Sequence, residues 1–257
     1  MKISIVTISF NQARYLRDCI DSVLSQDYKD IEYIIVDPGS TDGSREIVES
    51  YGSRILRVFE KDAGPADGLN KGFGRASGDI LYFINSDDFV EPGCFSSIVD
   101  AFSRQPVADV IIAGGSLVNG QGDAIRSFYP SKVTAKGYVN GAVTMFQQGM
   151  FFRAELFKKV GGFNKLNSTC WDGELLLRFV MNNARVVRLM EKVAAFRIYP
   201  ESITGSQRFA AQYELDQARL FAEVYGNRLA PKGWRRHFYR LGKILGDPLY
   251  VYKRCIG

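Results

Sequence analysis

Over its first 115 residues the chain alternates short β-branched runs with helix-length amphipathic stretches. That alternation is the pattern of a parallel sheet flanked by helices, and it sets the fold class as α/β with a mostly parallel central sheet. Strands are expected at Ile3 to Ser9, Glu32 to Asp37, Arg54 to Glu60, Asp79 to Asn85 and Asp109 to Ala113. Between the first two, Leu16, Cys19, Ile20, Val23 and Leu24 recur at helical spacing over Ala13 to Ser25. Thr41-Asp42-Gly43-Ser44 offers capping side chains to a second helix.

The periodicity weakens from Ser116 to Val143, where Gly, Asn, Ser and Lys interleave, so loops and short strands are expected. Order returns with a strand at Gln147 to Phe152, a helix at Ala154 to Val160 stopped by Gly161-Gly162, and a helix at Asp172 to Met181. Two further strands are expected at Val186 to Leu189 and Val193 to Ile198, then a long helix from Gln207 to Tyr225. There is no internal repeat. The 257 residues hold enough apolar material for a core without disulfides or a structural metal. Cys19, Cys94, Cys170 and Cys255 lie at least 75 positions apart, too far for a zinc or redox motif, and are expected to be reduced. No apolar run reaches the roughly 18 residues that span a bilayer, and Met1-Lys2-Ile3-Ser4-Ile5-Val6 leads straight into a strand. A cytoplasmic protein is the expectation.

Charge is uneven. Seven Lys or Arg and one acid fall between Pro231 and Arg254, so the formal +5 of the chain belongs to its tail and the body is near neutral. This argues against a nucleic-acid-binding body and puts any anionic surface partner at the C-terminus.

Open α/β sheets bind ligands beyond the carboxyl ends of their strands. Here those ends read Thr7-Ile8-Ser9-Phe10-Asn11, then Val36-Asp37-Pro38-Gly39, then Glu60-Lys61-Asp62, then Asn85-Ser86-Asp87-Asp88. Polar residues end every strand and carboxylates end three. Adjacent carboxylates at Asp87 and Asp88 repel unless a cation or hydrogen bonds offset the repulsion, and hard oxygen ligands suit Mg²⁺ or Mn²⁺. The other reading of the pair is a cap for the helix starting near Glu91-Pro92. The loop after the first strand lacks the G-x-G-x-x-G of dinucleotide folds, and no G-x-x-x-x-G-K-[ST] loop occurs, which removes dehydrogenases and P-loop ATPases.

In order along residues 1–205 come ISIVTISFN, VDPGSTDGS, EKDAGPADGLNKGF, GDILYFINSDD, QQGMFFRAELFKKVGGF, WDGELLLRF and FRIYPESIT. Through these segments the chain resembles the family 2 glycosyltransferases, inverting enzymes with the GT-A fold that use nucleotide-diphosphate sugars. The resemblance implies that Thr7, Ser9 and Asp37 contact the nucleobase and ribose, that Asp62 helps to hold the base, and that Asn11 also binds the donor. It implies that Asn70 and Lys71 of the N-K-G lie near the sugar phosphate, that Tyr199 meets the diphosphate, and that Asn85 to Asp88 form the D-x-D-type motif. Asp88 is its expected metal ligand, with Asp87 beside it on the donor, and Mn²⁺ or Mg²⁺ the expected cofactor. Asp172 matches the catalytic carboxylate that takes the acceptor proton, a role compatible with capping the helix it starts.

Trp171, Tyr199 and Gln147 depart from the family pattern, standing where many relatives have Glu, His and His. The one histidine, His237, lies in the tail. With Q-x-x-R-W absent, a single addition from a UDP-sugar is expected, to a saccharide or lipid-linked saccharide in surface-glycan synthesis. Two other classes remain in view: a sugar-phosphate nucleotidyltransferase, which would need a Gly-rich, Arg-containing first loop, and a catalytically silent nucleotide-sugar binder. The division expected is a transferase domain at 1–205, with a nucleotide half to 115 and an acceptor half from 116, and a basic helical extension at 206–257. Trp234, Phe238, Tyr239, Leu241, Ile244 and Leu245 interleave with the basic residues of 231–254, so peripheral contact with the inner face of a membrane is expected there, beside the alternative of packing on the body or a partner.

Overall fold

The computed structural model describes residues 1–202, 206, 209–226 and 233–256. Ile203 and Thr204 of the last matching segment, the boundary at 205, the expected helix start at Gln207, and Pro231 and Lys232 of the basic segment lie outside the described residues.

The elements run β1 (Ile3–Ile8), α1 (Ala13–Leu24), β2 (Ile31–Val36), α2 (Ser44–Ser50), β3 (Leu56–Val58), α3 (Pro65–Phe73), β4 (Ile80–Asn85), β5 (Phe89–Val90) and α4 (Cys94–Arg104). They continue with β6 (Val110–Val118), β7 (Ala124–Phe128), α5 (Ala135–Val139), β8 (Met150–Arg153), α6 (Ala154–Val160), α7 (Trp171–Met181) and β9 (Val186–Arg197). Three helices follow, α8 (Ala210–Tyr225), α9 (Gly233–Gly246) and α10 (Pro248–Ile256). One sheet carries the order β3-β2-β1-β4-β8-β6-β9-β5, with β7 on β6. Strands β3, β2, β1 and β4 are parallel, so their carboxyl ends meet at one rim. Strand β8 enters antiparallel between β4 and β6, and β9 runs parallel to β6.

The two-residue strand period explains why this sheet is covered on both faces. Ile3, Ile5, Tyr33, Ile35, Ile80, Tyr82 and Ile84 point to the face packed by Leu16, Cys19, Ile20 and Val23 of α1 and by Phe95, Ile98 and Phe102 of α4. Val6, Ile34, Val36, Leu81 and Phe83 point to the other face, packed by Leu69 and Phe73 of α3 and by Leu175, Leu176 and Phe179 of α7. Gly72 lets α3 lie against β1: a Cβ there would sit 2.5 Å from a Val6 methyl carbon.

Three expected elements differ. Residues 147–149 form a single 3-10 turn before β8, because Gly149 packs so closely on Ala113 that its Cβ would lie 2.4 Å from the Ala113 carbonyl oxygen. The two strands expected at 186–189 and 193–198 are one strand, β9, whose register on β6 shifts around Gly114. The weakly periodic stretch contains the last three residues of β6 and the hairpin strand β7, which is exposed over Ala124 to Arg126 and so shows no apolar alternation.

Candidate active site

A cleft of about 630 Å³ opens at the carboxyl ends of β1, β2 and β4, lined among others by Ser9, Pro38, Asp62, Asp87, Trp171 and Tyr199. The strand topology puts it there: each parallel strand ends at this rim, and the chain must leave it through a polar loop. Ser9 continues from β1, its N–H donating to the Val36 carbonyl at 2.9 Å, while its buried Oγ meets no protein partner. Asp37 is fully buried. Its Oδ1 accepts from Gly39 N at 2.9 Å, Ser40 N at 2.8 Å and Arg45 Nε at 3.0 Å, and its Oδ2 meets none. Buried polar atoms are nearly always paired; the three exceptions among the described side chains are Ser9 Oγ, on the cleft wall, Asp37 Oδ2, one residue before the lining Pro38, and the Tyr15 hydroxyl. Asp62 accepts from Gly64 N at 3.0 Å, and burial raises its carboxyl above the usual carboxylate range.

Four of the residues expected to meet the donor are spent elsewhere. Thr7 faces the core, its Oγ1 3.0 Å from the Tyr33 hydroxyl, because the strand period turns it away from the cleft when Ile8 faces it. Asn11, in a left-handed turn, accepts from Thr41 N at 2.9 Å and joins the loops after β1 and β2. Asn70 pairs both ways with the Phe163 backbone, donating to its carbonyl and accepting from its N–H at 2.9 Å each. Lys71 donates to the Lys61 carbonyl and forms an ion pair with Asp67 at 3.1 Å. It is Lys61, not Lys71, that lines the cleft.

Asp88, the expected metal ligand, faces inward. Asp88 is 1% exposed. Its Oδ1 accepts from Arg197 N at 2.9 Å, and its Oδ2 from Gln148 Nε2 at 2.7 Å and Asn85 Nδ2 at 3.3 Å. Burial, and then the charge of Asp87, push its carboxyl well up. Asp87 is the one that lines the cleft, accepting from the Tyr199 hydroxyl at 3.0 Å. Tyr199 also pairs with the Gln12 side chain, at 3.2 Å from Nε2, and its ring lies 5.0 Å from that of Tyr15.

Sequence reading missed the two residues that fix this turn. Arg197, buried under Tyr15 and Phe89, donates through Nε to the Asp87 carbonyl at 2.9 Å and through Nη1 to the Gly120 carbonyl at 3.1 Å, and forms an ion pair with Asp18 at 3.6 Å. Gln148, in the turn that leads into β8, reaches Asp88 at 2.7 Å. An arginine inside an apolar strand such as Val193 to Ile198 is itself a signal of a buried partner.

Asp172 lies in the first turn of α7, one residue after Trp171. Burial raises its carboxyl, and it stands beside the cleft lining rather than in it. Tyr138 covers this turn so closely that a Cβ on Gly173 would fall 1.8 Å from the Tyr138 hydroxyl oxygen. Helix α7 is held at its start by Glu174, which is buried and accepts from Asn164 at 2.9 Å, Asn167 at 2.6 Å and Arg219 of α8 at 2.5 Å. Burial of Glu174 opposes its ionisation, yet these partners keep it below the usual range.

No group of three or more His, Cys, Asp or Glu is placed to hold a metal among the described residues. Mg²⁺ and Mn²⁺ are commonly held by one or two carboxylates together with substrate phosphates. A half-buried Asp87 on the cleft wall fits that donor set, provided the ion arrives with a diphosphate.

The model of the glycosyl transferase family 2 matches residues 4–161. An uncharacterized glycosyltransferase of Nostoc sp. is 30% identical over 212 residues, which are 77% of this chain and 65% of that protein. One from Mycobacterium tuberculosis is 33% identical over 184 residues, 68% of each chain. The chain spans 65% of the Nostoc relative's length and 30% of that of one from Rickettsia conorii. Among solved structures, S. aureus TarS in complex with UDP-GlcNAc aligns with a TM-score of 0.71 at 17% identity, over 98% of this chain and 72% of that one. The mannosyltransferase PcManGT of Pyrobaculum calidifontis, in complex with GDP-Man and Mn²⁺, aligns at 0.66 and 18% over 99% of this chain and 73% of that one. The fold is thus that of the GT-A glycosyltransferases, and a family match reaching from β1 through α6 establishes that this chain belongs to glycosyl transferase family 2.

Proposed function

We propose that the chain transfers one sugar, with inversion, from a nucleoside-diphosphate donor, UDP-linked by preference, to a hydroxyl of a saccharide or lipid-linked saccharide in surface-glycan synthesis. The observation that carries this reading is the rim cleft, lined by Ser9, whose buried Oγ meets no protein partner, and by Asp87 and Tyr199, with the unpartnered Oδ2 of the buried Asp37 one residue before the lining Pro38. These acceptors suit the N–H and hydroxyl groups of a nucleobase and ribose, and Asp62 and Lys61 stand beside them. Tyr199 gives its one hydroxyl proton to Asp87, and with a cation on Asp87 that proton would be released to a phosphate oxygen; Gln12 and Tyr15 flank the tyrosine.

Asp87 would hold a divalent cation with the diphosphate, and that ion would stabilise negative charge on the departing nucleotide. The chain's own residues do the rest. Asp172 accepts the proton of the acceptor hydroxyl as its oxygen attacks the anomeric carbon. Its burial strengthens it as a base once ionised. Trp171, the residue before Asp172, lines the cleft, and its packing on Phe83 and Phe163, with ring centroids 5.5 and 5.7 Å away, fixes that wall. A lipid-linked acceptor would put the chain at the cytoplasmic face of a membrane. No helix among the described residues is long and apolar enough to cross one.

Thermal-shift titration with UDP-, GDP-, CDP- and dTDP-sugars, each with and without Mn²⁺, tests the donor reading. Stabilisation by one nucleotide class that grows with Mn²⁺ is expected, followed by release of the nucleoside diphosphate in the presence of saccharide acceptors. Absence of any shift across the set would remove the reading, and a shift without turnover over a broad acceptor panel would favour a silent binder.

A further inference from the structure

Helix α9 is mounted inside out. At about 100° per residue, Arg235, Tyr239 and Lys243 share one face, and this is the face that touches the body. The Arg235 guanidinium lies 5.7 Å from the Tyr225 ring, the Tyr239 hydroxyl is 3.4 Å from that of Tyr225, and Lys243 Nζ donates to Thr144 Oγ1 at 2.5 Å. Trp234, Phe238, Leu241 and Leu245 form a second face and are 61%, 67%, 57% and 76% exposed. Leu249 and Tyr252 of α10 extend the exposed row. A surface helix of an isolated globular body turns its apolar stripe inward, so a continuous outward stripe of this kind marks a docking surface.

What covers it follows from charge. Of the six basic residues of the two helices, Arg235 and Lys243 face the body and Lys253 lies over Tyr129, while Arg236, Arg240 and Arg254 are exposed; the one acid from 233 to 256 is Asp247. That acid is already neutralised by Arg188, whose Nη1 lies 2.8 and 2.6 Å from its two oxygens. A second copy of the chain set on the stripe would bring two such basic rims together, whereas an anionic surface offsets them. Aromatic and aliphatic side chains rimmed by Arg and Lys on a helix that lies flat are the chemistry of an interfacial helix. We propose that α9 and α10 form a membrane-docking surface that inserts the row from Trp234 to Tyr252 among the headgroups of an anionic phospholipid leaflet. Asp247 acts as the staple of this device: besides Arg188, it accepts from Lys132 N at 2.7 Å, tying the junction of the two helices to the body. The inference concerns this chain whatever its donor, since lipid binding is read with no sugar nucleotide present.

The test is co-sedimentation of the full chain with phosphatidylcholine vesicles and with phosphatidylcholine–phosphatidylglycerol vesicles. Binding to the anionic vesicles at least about tenfold tighter, weakened in about 0.5 M salt, is expected. Phe238→Asp with Leu241→Asp should abolish it, and Arg236→Glu with Arg254→Glu should reduce it to the level of neutral vesicles. All four positions are exposed, so circular dichroism and melting of both variants should match the parent. Equal binding to both vesicle types, no binding, or binding unchanged in either folded variant overturns the proposal. So does a dimer in light scattering that Phe238→Asp dissociates while lipid binding is absent, which would assign the stripe to a second copy.

Discussion

Asp87 and Asp88 are adjacent, chemically identical, and opposite in what they touch. Asp88 satisfies three internal donors, whereas Asp87 shows its carboxylate to the cleft. Asp87→Ala is therefore expected to lower transfer by at least about 100-fold with little change in urea midpoint. Asp88→Asn places an amide N–H against donors and should cost about 1–3 kcal/mol of stability. Chemical denaturation and an initial-rate assay on both variants separate the two roles, and the reverse pattern would return the metal to Asp88. Asp172→Asn should remove a factor of about 10²–10⁴ from kcat while leaving nucleotide affinity intact. Because burial raises the Asp172 carboxyl and the base must be ionised to work, activity should fall on acidification at a pH above the ordinary carboxylate value of about 4. An acid limb at or below that value would argue against Asp172 as the base. That acidic residues end the strands was legible in the sequence, since position in a strand–loop boundary is local. Which of two neighbours turns inward was not legible, because Gln148 and the Arg197 backbone decide it from 60 and 109 residues away.

Helices that turn one regular apolar face to the sheet could be placed from sequence to within a residue or two. Helix α6 begins and ends where expected, and α1 buries Leu16, Cys19, Ile20 and Val23, the residues whose spacing defined it. Strand β7 escaped because its first three residues are exposed and carry no alternating signal. Helix α3 shows how an element's ends are secured by charge. Asp67 in its first turn accepts from Ala63 N at 3.1 Å and forms ion pairs with Lys165 at 2.7 Å and Lys71 at 3.1 Å. Lys165 foremost, with the Ala63 amide and Lys71, lowers its carboxyl to about 2. A folded-state value below the unfolded one contributes stability that is complete above about pH 4 and lost as pH falls towards 2. Urea midpoints of the parent should thus decline across that window more steeply than those of Asp67→Asn, which should be less stable at pH 6 and converge with the parent near pH 2. Parallel curves would show that the lysines contribute nothing there.

At the scale of the whole molecule the question is where the folding unit stops. A boundary at 205 sets all three C-terminal helices apart, but they are not alike in burial. Helix α8 inserts Leu220 and Phe221 into a cluster with Val139, Cys170 and Leu177. It also supplies Arg219 to Glu174 and Asp216 to Thr169, the latter at 2.7 Å, so it braces the helix that carries Asp172. Helices α9 and α10 bury only Tyr250 among their described side chains, with Asp247 buried between them. We propose that the transferase unit extends through α8 and that the appendage begins beyond it. Truncation after Gly226 should then leave stability within about 2 kcal/mol of the full chain and retain nucleotide binding. Truncation before Ala210 removes two large buried side chains and strips a buried carboxylate of its guanidinium, a loss of about 5 kcal/mol or more, comparable with the whole stability of many domains. Urea denaturation of the two truncated chains checks this directly: equal stability of both would restore the boundary to 205, whereas a folded 1–226 and an unfolded 1–209 would make α8 part of the catalytic body and leave the basic helices free to serve the surface on which the acceptor sits.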